Sequence, residues 1–272
     1  MSQLPVLPVI EVNGVGKEFV QHQQLPSLRA EATQLIKRWV GLAKPLPHET
    51  FWALRDVNFR VQAGESLGIV GANGAGKSTL IRMLANIIAP TTGEIIVRGR
   101  FSALIGLSAG FDAMRTGREN IYLNAAIFGL TRGEIEGLLD EIIAFAEIGE
   151  FIDQPVKYYS SGMLARLGFS VAVHFLPEII MLDEILAVGD MAFQRKCYAR
   201  MQQLRGSSTM ILVMHSGATI RDMCDRAIWL HKGTVAMDGP SGDVVDAYEA
   251  FNHVRHDDAA AHALDTPDFL AP

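Results

Sequence analysis

The chain has 272 residues, of which 49% are hydrophobic and 20% charged, and a formal net charge of -6. Such a length supports one large domain with a subdomain, and the composition excludes a collagen, a disulfide scaffold and a disordered chain. The acidic balance excludes a surface that is basic all over, as a nucleic-acid footprint would be, and leaves room only for a local basic patch.

The first residues, MSQLPVLPVI, have two prolines in their apolar stretch and no basic residue before it, so they do not read as a secretory signal. Ile10 to Phe19 reads as a first strand and turn. The pattern then breaks and resumes as a helix from Ser27 to Gly41, with Leu28, Ala32, Leu35, Ile36 and Trp39 on one face, ended by Pro45 and Pro47. From Trp52, "ALRDVNFRVQAGESLGIVG" gives two strands around a turn at Ala63 to Glu65, and the second is apolar throughout, as a central parallel strand is. A helix starting near Gly76 follows, then strands around Gly93 to Leu107. Next come helices from Gly117 to Phe128, from Thr131 to Glu147 with a Thr131/Glu134 capping box, and after Ser160, which together look like a helical subdomain at about 112–177. The most apolar long window, Leu167 to Leu182, is interrupted by Ser170, His174, Pro177 and Glu178, so any service to a membrane is expected from outside the bilayer.

Beyond Pro177 the strand and helix signals alternate through "EIIMLD", "TMILVMH", "RAIWL" and "TVAM" to a last helix from Ser241 to Phe251, which argues for an α/β core. Residues 253–272 lack a period and read as a frayed, solvated tail in spite of their three histidines. Cys197 and Cys224 have no metal-ligand spacing and read as reduced thiols, which suits a cytoplasmic chain.

The chemistry concentrates at strand ends. "GANGAGKST", the run Gly71, Ala72, Asn73, Gly74, Ala75, Gly76, Lys77, Ser78, Thr79, matches G-x-x-x-x-G-K-S/T between an apolar strand and a helix, the context that a phosphate loop requires. Its backbone N–H groups and the helix N-terminus face phosphates, Lys77 supplies positive charge and Ser78 can ligate Mg²⁺. About a hundred residues later, "EIIMLDE" ends an apolar strand in two acids. Asp183 can hold Mg²⁺ through water, and Glu184, pointing the other way, can polarise the attacking water. "TMILVMHS" delivers His215 off another strand end, where it can contact a γ-phosphate or hold Glu184 and the water in place. A lone histidine or an Asp-Glu pair there is ordinarily structural; beside the phosphate loop they become its expected partners. Ser160 and Ser161 open a helix as a cap does.

Taken in order, GANGAGKST, YSSGM, MLDE and His215 resemble the ATP-binding subunit of ABC transporters over about residues 9–250. "AGFDAMRTGRENIYLNAAIFGL", "DQPVKYYSSGMLARLGFSVA" and "DEILAVGDMAFQRKC" resemble the branch that exports polysaccharides such as O-antigen, capsule and teichoic acid. The resemblance implies an α/β P-loop NTPase core of the ABC ATPase type over residues 1–252, with a mixed sheet and an inserted helical subdomain. It implies ATP and Mg²⁺ as cofactors, a homodimer sandwiching two ATP molecules and an integral membrane permease subunit as partner. Nucleic acid is not among the partners it implies, and the location is peripheral, on the cytoplasmic face of the membrane. Tyr159 to Met163 then correspond to the family signature, Ser160, Ser161 and Gly162 meet the γ-phosphate of the opposite subunit, Asp190 matches the loop that crosses the dimer interface, and His215 matches the switch histidine.

Two departures accompany the resemblance. The glutamine that most ABC subunits carry before the helical subdomain is absent, with Gly106 or Leu107 at that point of "SALIGLSAGFD", and the insertion at about 20–50 separates three candidates for stacking on adenine, Phe19, Phe51 and Trp52. The Ser27–Lys44 part of the insertion has four basic residues, Arg29, Lys37, Arg38 and Lys44, against one acid, Glu31; this suits a membrane surface or a partner helix, the plainer alternative being a helix packed on its own domain, and similar insertions in the resembled branch favour the membrane. A rival reading, a soluble ABC protein acting on ribosomes or DNA, usually has two ATPase halves or a long coiled coil, and this sequence has neither. A small-molecule kinase would leave YSSGM and His215 without a role. With no carbohydrate-binding domain after the last helix, the expectation is that the protein does not itself read a terminal sugar.

Overall fold

A computed structural model of the chain describes residues 7–21, 49–99, 101–104, 110–175, 178–183, 189–214 and 216–264. Glu184, His215, Gly106, Leu107 and the Ser27–Lys44 segment lie outside the described residues, and for Asp183 only the backbone is described.

Two sheets organise the fold. In the smaller one, β1 (Ile10–Gln21) lies between β2 (Glu49–Val61) and β4 (Thr92–Val97), all antiparallel. The register runs from Ile10↔Val61 to Gln21↔Glu49. Pairing thus extends past Phe19 and begins before Trp52, and the break in pattern falls within residues 22–48. The larger sheet has the order β5-β6-β7-β3-β8-β9, formed by β5 (Phe101–Leu104), β6 (Ile179–Asp183), β7 (Thr209–Val213), β3 (Ser66–Val70), β8 (Arg226–His231) and β9 (Thr234–Pro240). The first five of these are parallel and β9 closes the edge antiparallel, the mixed sheet that the resemblance implies. β3 and β7 are buried at every residue, which is why they read as unbroken apolar runs.

The register aligns the functional strand ends. Ile69 of β3 pairs with Val213 of β7, and Asp183 of β6 pairs with the same Val213. The phosphate loop after Val70, the acid ending β6 and the chain leaving β7 toward His215 therefore emerge at one edge of the sheet, where ligands bind in open parallel sheets.

Helix α1 (Lys77–Leu84) packs between the two sheets, and its Leu80, Ile81 and Leu84 are fully or almost fully buried in the core they share. The helical subdomain comprises α2 (Gly117–Ile127), α3 (Arg132–Ala146), two short 3-10 turns and α4 (Ser161–His174). The Thr131/Glu134 capping box opens α3 as read from the sequence, and Thr116/Glu119 form a second one that opens α2. Leu167 and Val171 of α4 pack into the subdomain core, while Phe169, Ala172 and Val173 pack against the main sheet, so α4 belongs to both. Helices α5 (Met191–Leu204), α6 (Gly217–Met223) and α7 (Ser241–Leu264) complete the second face of the sheet.

Helix α7 runs to Leu264, past Phe251, where the sequence pattern ends the last helix. The physical reason lies in Ala259, Ala260, Ala261 and Ala263, the residue type with the highest helix propensity, which carry the helix on without an amphipathic period. Cys197 and Cys224 are free and buried, and burial pushes both thiols up to about 12, so they are unreactive at neutral pH.

Candidate nucleotide site

The phosphate loop joins β3 to α1, and at Gly71 and Gly76 its backbone leaves no room for a Cβ. Gly76 has φ 105°, and a Cβ there would stand 2.8 Å from the Ala53 carbonyl oxygen. Gly71 has φ 154°, and its Cβ would collide with the Leu230 carbonyl. Backbone bonds finish the arch: the Ala75 N–H donates to the Ala72 carbonyl at 3.1 Å, and the Ala75 carbonyl accepts from the Gly233 N–H at 3.1 Å. Lys77, only 6% exposed, folds under this arch, its Nζ donating to the carbonyls of Gly71 at 2.7 Å and Ala72 at 3.2 Å. No acid occupies the first turn of α1, so the partial positive charge of its N-terminus is uncompensated by its own side chains.

In front of the loop lies a cleft of about 450 Å³. One wall is Asn73, Gly74, Gly76, Lys77, Ser78 and Thr79; the other is aromatic, with Phe19, Phe51 and Trp52, and Ala53 and Lys232 complete the lining. Gly71, Ala72 and Ala75 are not among the described lining residues; the carbonyls of Gly71 and Ala72 accept from Lys77. The size and the contrast between a donor-rich wall and an apolar one suit a ligand with phosphates at one end and a flat ring at the other.

The three aromatics that the sequence left unranked all reach the cleft, in different states. Phe19 and Phe51 face each other across β1 and β2 and stack at 5.7 Å with an interplanar angle of 27°. Trp52 packs over Gly16, with the Arg55 guanidinium 5.6 Å from its ring centroid. Phe51 is 49% exposed, the open end of the wall, while Phe19 carries the Lys17 ammonium 5.3 Å from its ring.

Ser160, Ser161 and Gly162 stand apart from this cleft. The Ser160 Oγ accepts from the Met163 N–H at 3.2 Å and caps α4, so the capping role read from the sequence is present. Ser160 and Ser161 are exposed, and no acid sits in the first turn of the helix they open. Tyr159, buried just before them, donates its hydroxyl to the Phe151 carbonyl at 2.6 Å, and burial pushes its phenol up to about 12. Ser160 and Ser161 thus present a solvent-facing helix N-terminus.

Asp190 is tied to this helix. Its Oδ1 accepts from the Phe193 N–H at 2.9 Å, capping α5, and its Oδ2 accepts from the Arg166 guanidinium of α4 at 2.8 Å. Arg166 also reaches Glu147 at 3.3 Å and lies over the Phe193 ring at 4.6 Å, while Lys196 bonds Glu147 at 2.6 Å and caps the end of α3 through the Phe145 carbonyl at 3.1 Å. Arg166, Glu147 and Lys196 escape a reading of the sequence because 19 and 49 residues separate the bonded pairs. The Asp190 cap itself is legible as an acid directly before a helical pattern.

The Phe193 N–H, then Arg166, hold the Asp190 carboxyl below the usual range. A depressed carboxyl adds stability above its unfolded pKa of about 3.9 and loses it as pH falls through the lower folded value. Asp190→Ala should therefore be less stable than the parent at neutral pH, with the difference shrinking as pH falls from about 5 to below 3. Denaturant melts across that range check this; a difference constant with pH counts against it.

Among the described residues, no group of three or more His, Cys, Asp and Glu is placed to hold a metal, and no helix is long and apolar enough to cross a membrane.

Comparison with known proteins places this geometry. Residues 54–187 match the ABC transporter family model. An ABC transporter protein of Aeromonas salmonicida is 44% identical over 254 residues, 93% of this chain and 80% of the relative. An O-antigen export system ATP-binding protein of Klebsiella pneumoniae is 40% identical over 243 residues, 89% of this chain and 98% of the relative. A teichoic acids export ATP-binding protein of Levilactobacillus brevis is 46% identical over 244 residues, 89% of this chain and 65% of the relative. Among solved structures, an ATP-binding subunit of an ABC transporter superposes with a TM-score of 0.69 at 21% identity, covering 89% of this chain and 93% of that one. A dimeric ATP-binding cassette in a post-hydrolysis state with ADP and Pi superposes with a TM-score of 0.66 at 20% identity, covering 85% and 98%. With a phosphate loop of this form at the C-terminal end of an interior strand, and relatives 40–44% identical that the chain covers to 80% and 98% of their length, the chain belongs to the ATP-binding subunits of the ABC transporter family and is an ABC ATPase.

Proposed function

We propose that this protein is the ATP-hydrolysing subunit of an exporter that moves a polysaccharide or its lipid-linked precursor, such as O-antigen, capsule or teichoic acid, across the cytoplasmic membrane. The observation that carries this reading is the similarity, at 38–46% identity, to relatives named for O-antigen and teichoic acid export. The soluble reading, an ABC protein acting on ribosomes or DNA, has no comparable support. The protein works beneath a separate membrane permease, and the basic Ser27–Lys44 segment is its candidate contact with the membrane surface.

The separation of the two half-sites supports a homodimer. The phosphate loop lines a cleft on the core, while Ser160, Ser161 and Gly162 open an exposed helix on the subdomain. A second copy, with Asp190 near the seam, brings the signature of one chain to the phosphates held by the other, so that each ATP is enclosed by two chains. ATP binding closes the dimer and hydrolysis reopens it, and the permease follows that change in population. Within each site the base stacks on the aromatic wall, with Phe51 as its open face; Lys77 and the loop N–H groups bind phosphate oxygens; Glu184 orients and deprotonates the attacking water; His215 holds Glu184 and the water in line.

Mg²⁺ fits the donors present, because the Ser78 hydroxyl lines the cleft and Asp183 ends the strand two places away at the same sheet edge; both offer the hard oxygen ligands this ion prefers. Bound there, it would neutralise charge on the phosphates.

Deleting the gene should leave lipid-linked glycan accumulating on the cytoplasmic side of the membrane and strip the polysaccharide from the cell surface. Complementation with the wild-type chain should restore it, and complementation with a Lys77→Met chain should not. Undiminished surface polysaccharide in the deletion strain would refute the export reading while leaving the ATPase assignment standing.

A further inference from the structure

One cation in the cleft has no role in the reading above. Lys232 and Gly233 form the two-residue turn between β8 and β9, with His231 paired to Thr234 and both central φ angles positive, 48° and 83°. A turn of this kind favours Asn-Gly or Asp-Gly, because its first residue must enter the left-handed region, where a Cβ crowds the backbone. Asparagine tolerates that region through local side-chain hydrogen bonds, and lysine has no such compensation. By turn chemistry alone, lysine is a poor choice here.

The turn is pinned to the nucleotide site on two sides. The Gly233 N–H donates to the Ala75 carbonyl of the phosphate loop at 3.1 Å, and the Gly233 carbonyl accepts from the Arg55 N–H at 2.8 Å, on the strand that carries Phe51 and Trp52. These bonds hold the Lys232 backbone between the loop and the aromatic wall, and its exposed side chain lines the cleft. Lys77, the other cation of the lining, is folded under the loop at the far end. None of the described residues that line the cleft is acidic, so the lining presents Lys232 to a ligand without a carboxylate beside it.

We propose that Lys232 is a further nucleotide-binding residue that contacts the base-proximal, α-phosphate end of the phosphate chain; this rests on the reading of the cleft as the ATP site. Because the α-phosphate is common to ATP and ADP, Lys232 sets affinity for both alike, in contrast to groups that meet the γ-phosphate. The strain of the turn is retained because the charge is needed at that point.

The test is calorimetric binding of ATP and of ADP, without hydrolysis, to the full chain and to its Lys232→Asn and Lys232→Arg variants. Lys232→Asn should weaken both nucleotides by the same factor, about 3- to 30-fold, as expected for one partly exposed charge-assisted contact. Its thermal midpoint without nucleotide should equal or exceed that of the parent, because the turn is relieved. Lys232→Arg should restore affinity to within about 3-fold, and the deficit of the Asn variant should shrink as salt is raised from roughly 50 to 500 mM. Unchanged affinity in Lys232→Asn, a loss confined to ATP, a loss accompanied by a lower midpoint, or failure of Arg to rescue would each overturn the proposal. A parent chain that binds neither nucleotide would overturn the cleft reading with it; a parent that binds both while the Asn variant binds equally well overturns only the role of Lys232.

Discussion

Glu184→Gln should lower ATP turnover by about 10²- to 10⁴-fold, the usual contribution of a general base, while ATP affinity stays within a few-fold of the parent. Glu184 directly follows Asp183, the last residue of β6, whose end aligns with those of β7 and β3. The amide keeps the shape and can still hydrogen-bond water but cannot accept its proton. With binding intact and hydrolysis blocked, the ATP-closed dimer should accumulate, and removing a negative charge beside the triphosphate favours it further. Phosphate release, and size-exclusion chromatography with and without ATP, read the two effects. Normal turnover in this variant would remove Glu184 from the role of base.

Lys77→Met should weaken ATP binding by about 100-fold or more, because it removes the loop's charge-assisted donor. It should also lower stability by about 1–3 kcal/mol, since the buried Gly71 carbonyl loses the Nζ that donates to it at 2.7 Å. Calorimetric titration and thermal melts separate the two losses. The same variant tests the shared site when mixed with a Ser160→Arg chain. A mixed dimer has one site in which both defects meet and one assembled from an intact loop and an intact signature. Nucleotide trapping should therefore reappear in the mixture although neither variant traps nucleotide alone. A mixture as inactive as its parts would argue against signature and loop acting across two chains.

Much of the site is readable along the chain because its signals are short. GANGAGKST carries its own glycines, lysine and hydroxyls within nine consecutive residues, and the structure forms from them a loop with Lys77 beneath it. The Ser160 cap and the Thr131/Glu134 box likewise depend on residues three apart, and they stand where the local pattern puts them. The end of α7 was less legible, because the alanines beyond residue 253 extend a helix by propensity rather than by amphipathic period.

The phosphate loop, the α/β alternation and the helix caps are each written in neighbouring residues, whose backbone and side-chain preferences act over one or two turns. Which of those pieces meet is set by the packing of distant segments. That Phe19 stacks on Phe51 follows from the pairing of β1 with β2; that Arg166 clasps Asp190 follows from the packing of α4 against α5; that the Lys232–Gly233 turn rests on the phosphate loop follows from β8 lying next to β3. These contacts join residues 24 to 158 positions apart, or cross an insertion, and no local propensity encodes them. They arise because burying the apolar strands in one sheet order satisfies all their backbone hydrogen bonds at once and carries their polar ends to a single edge.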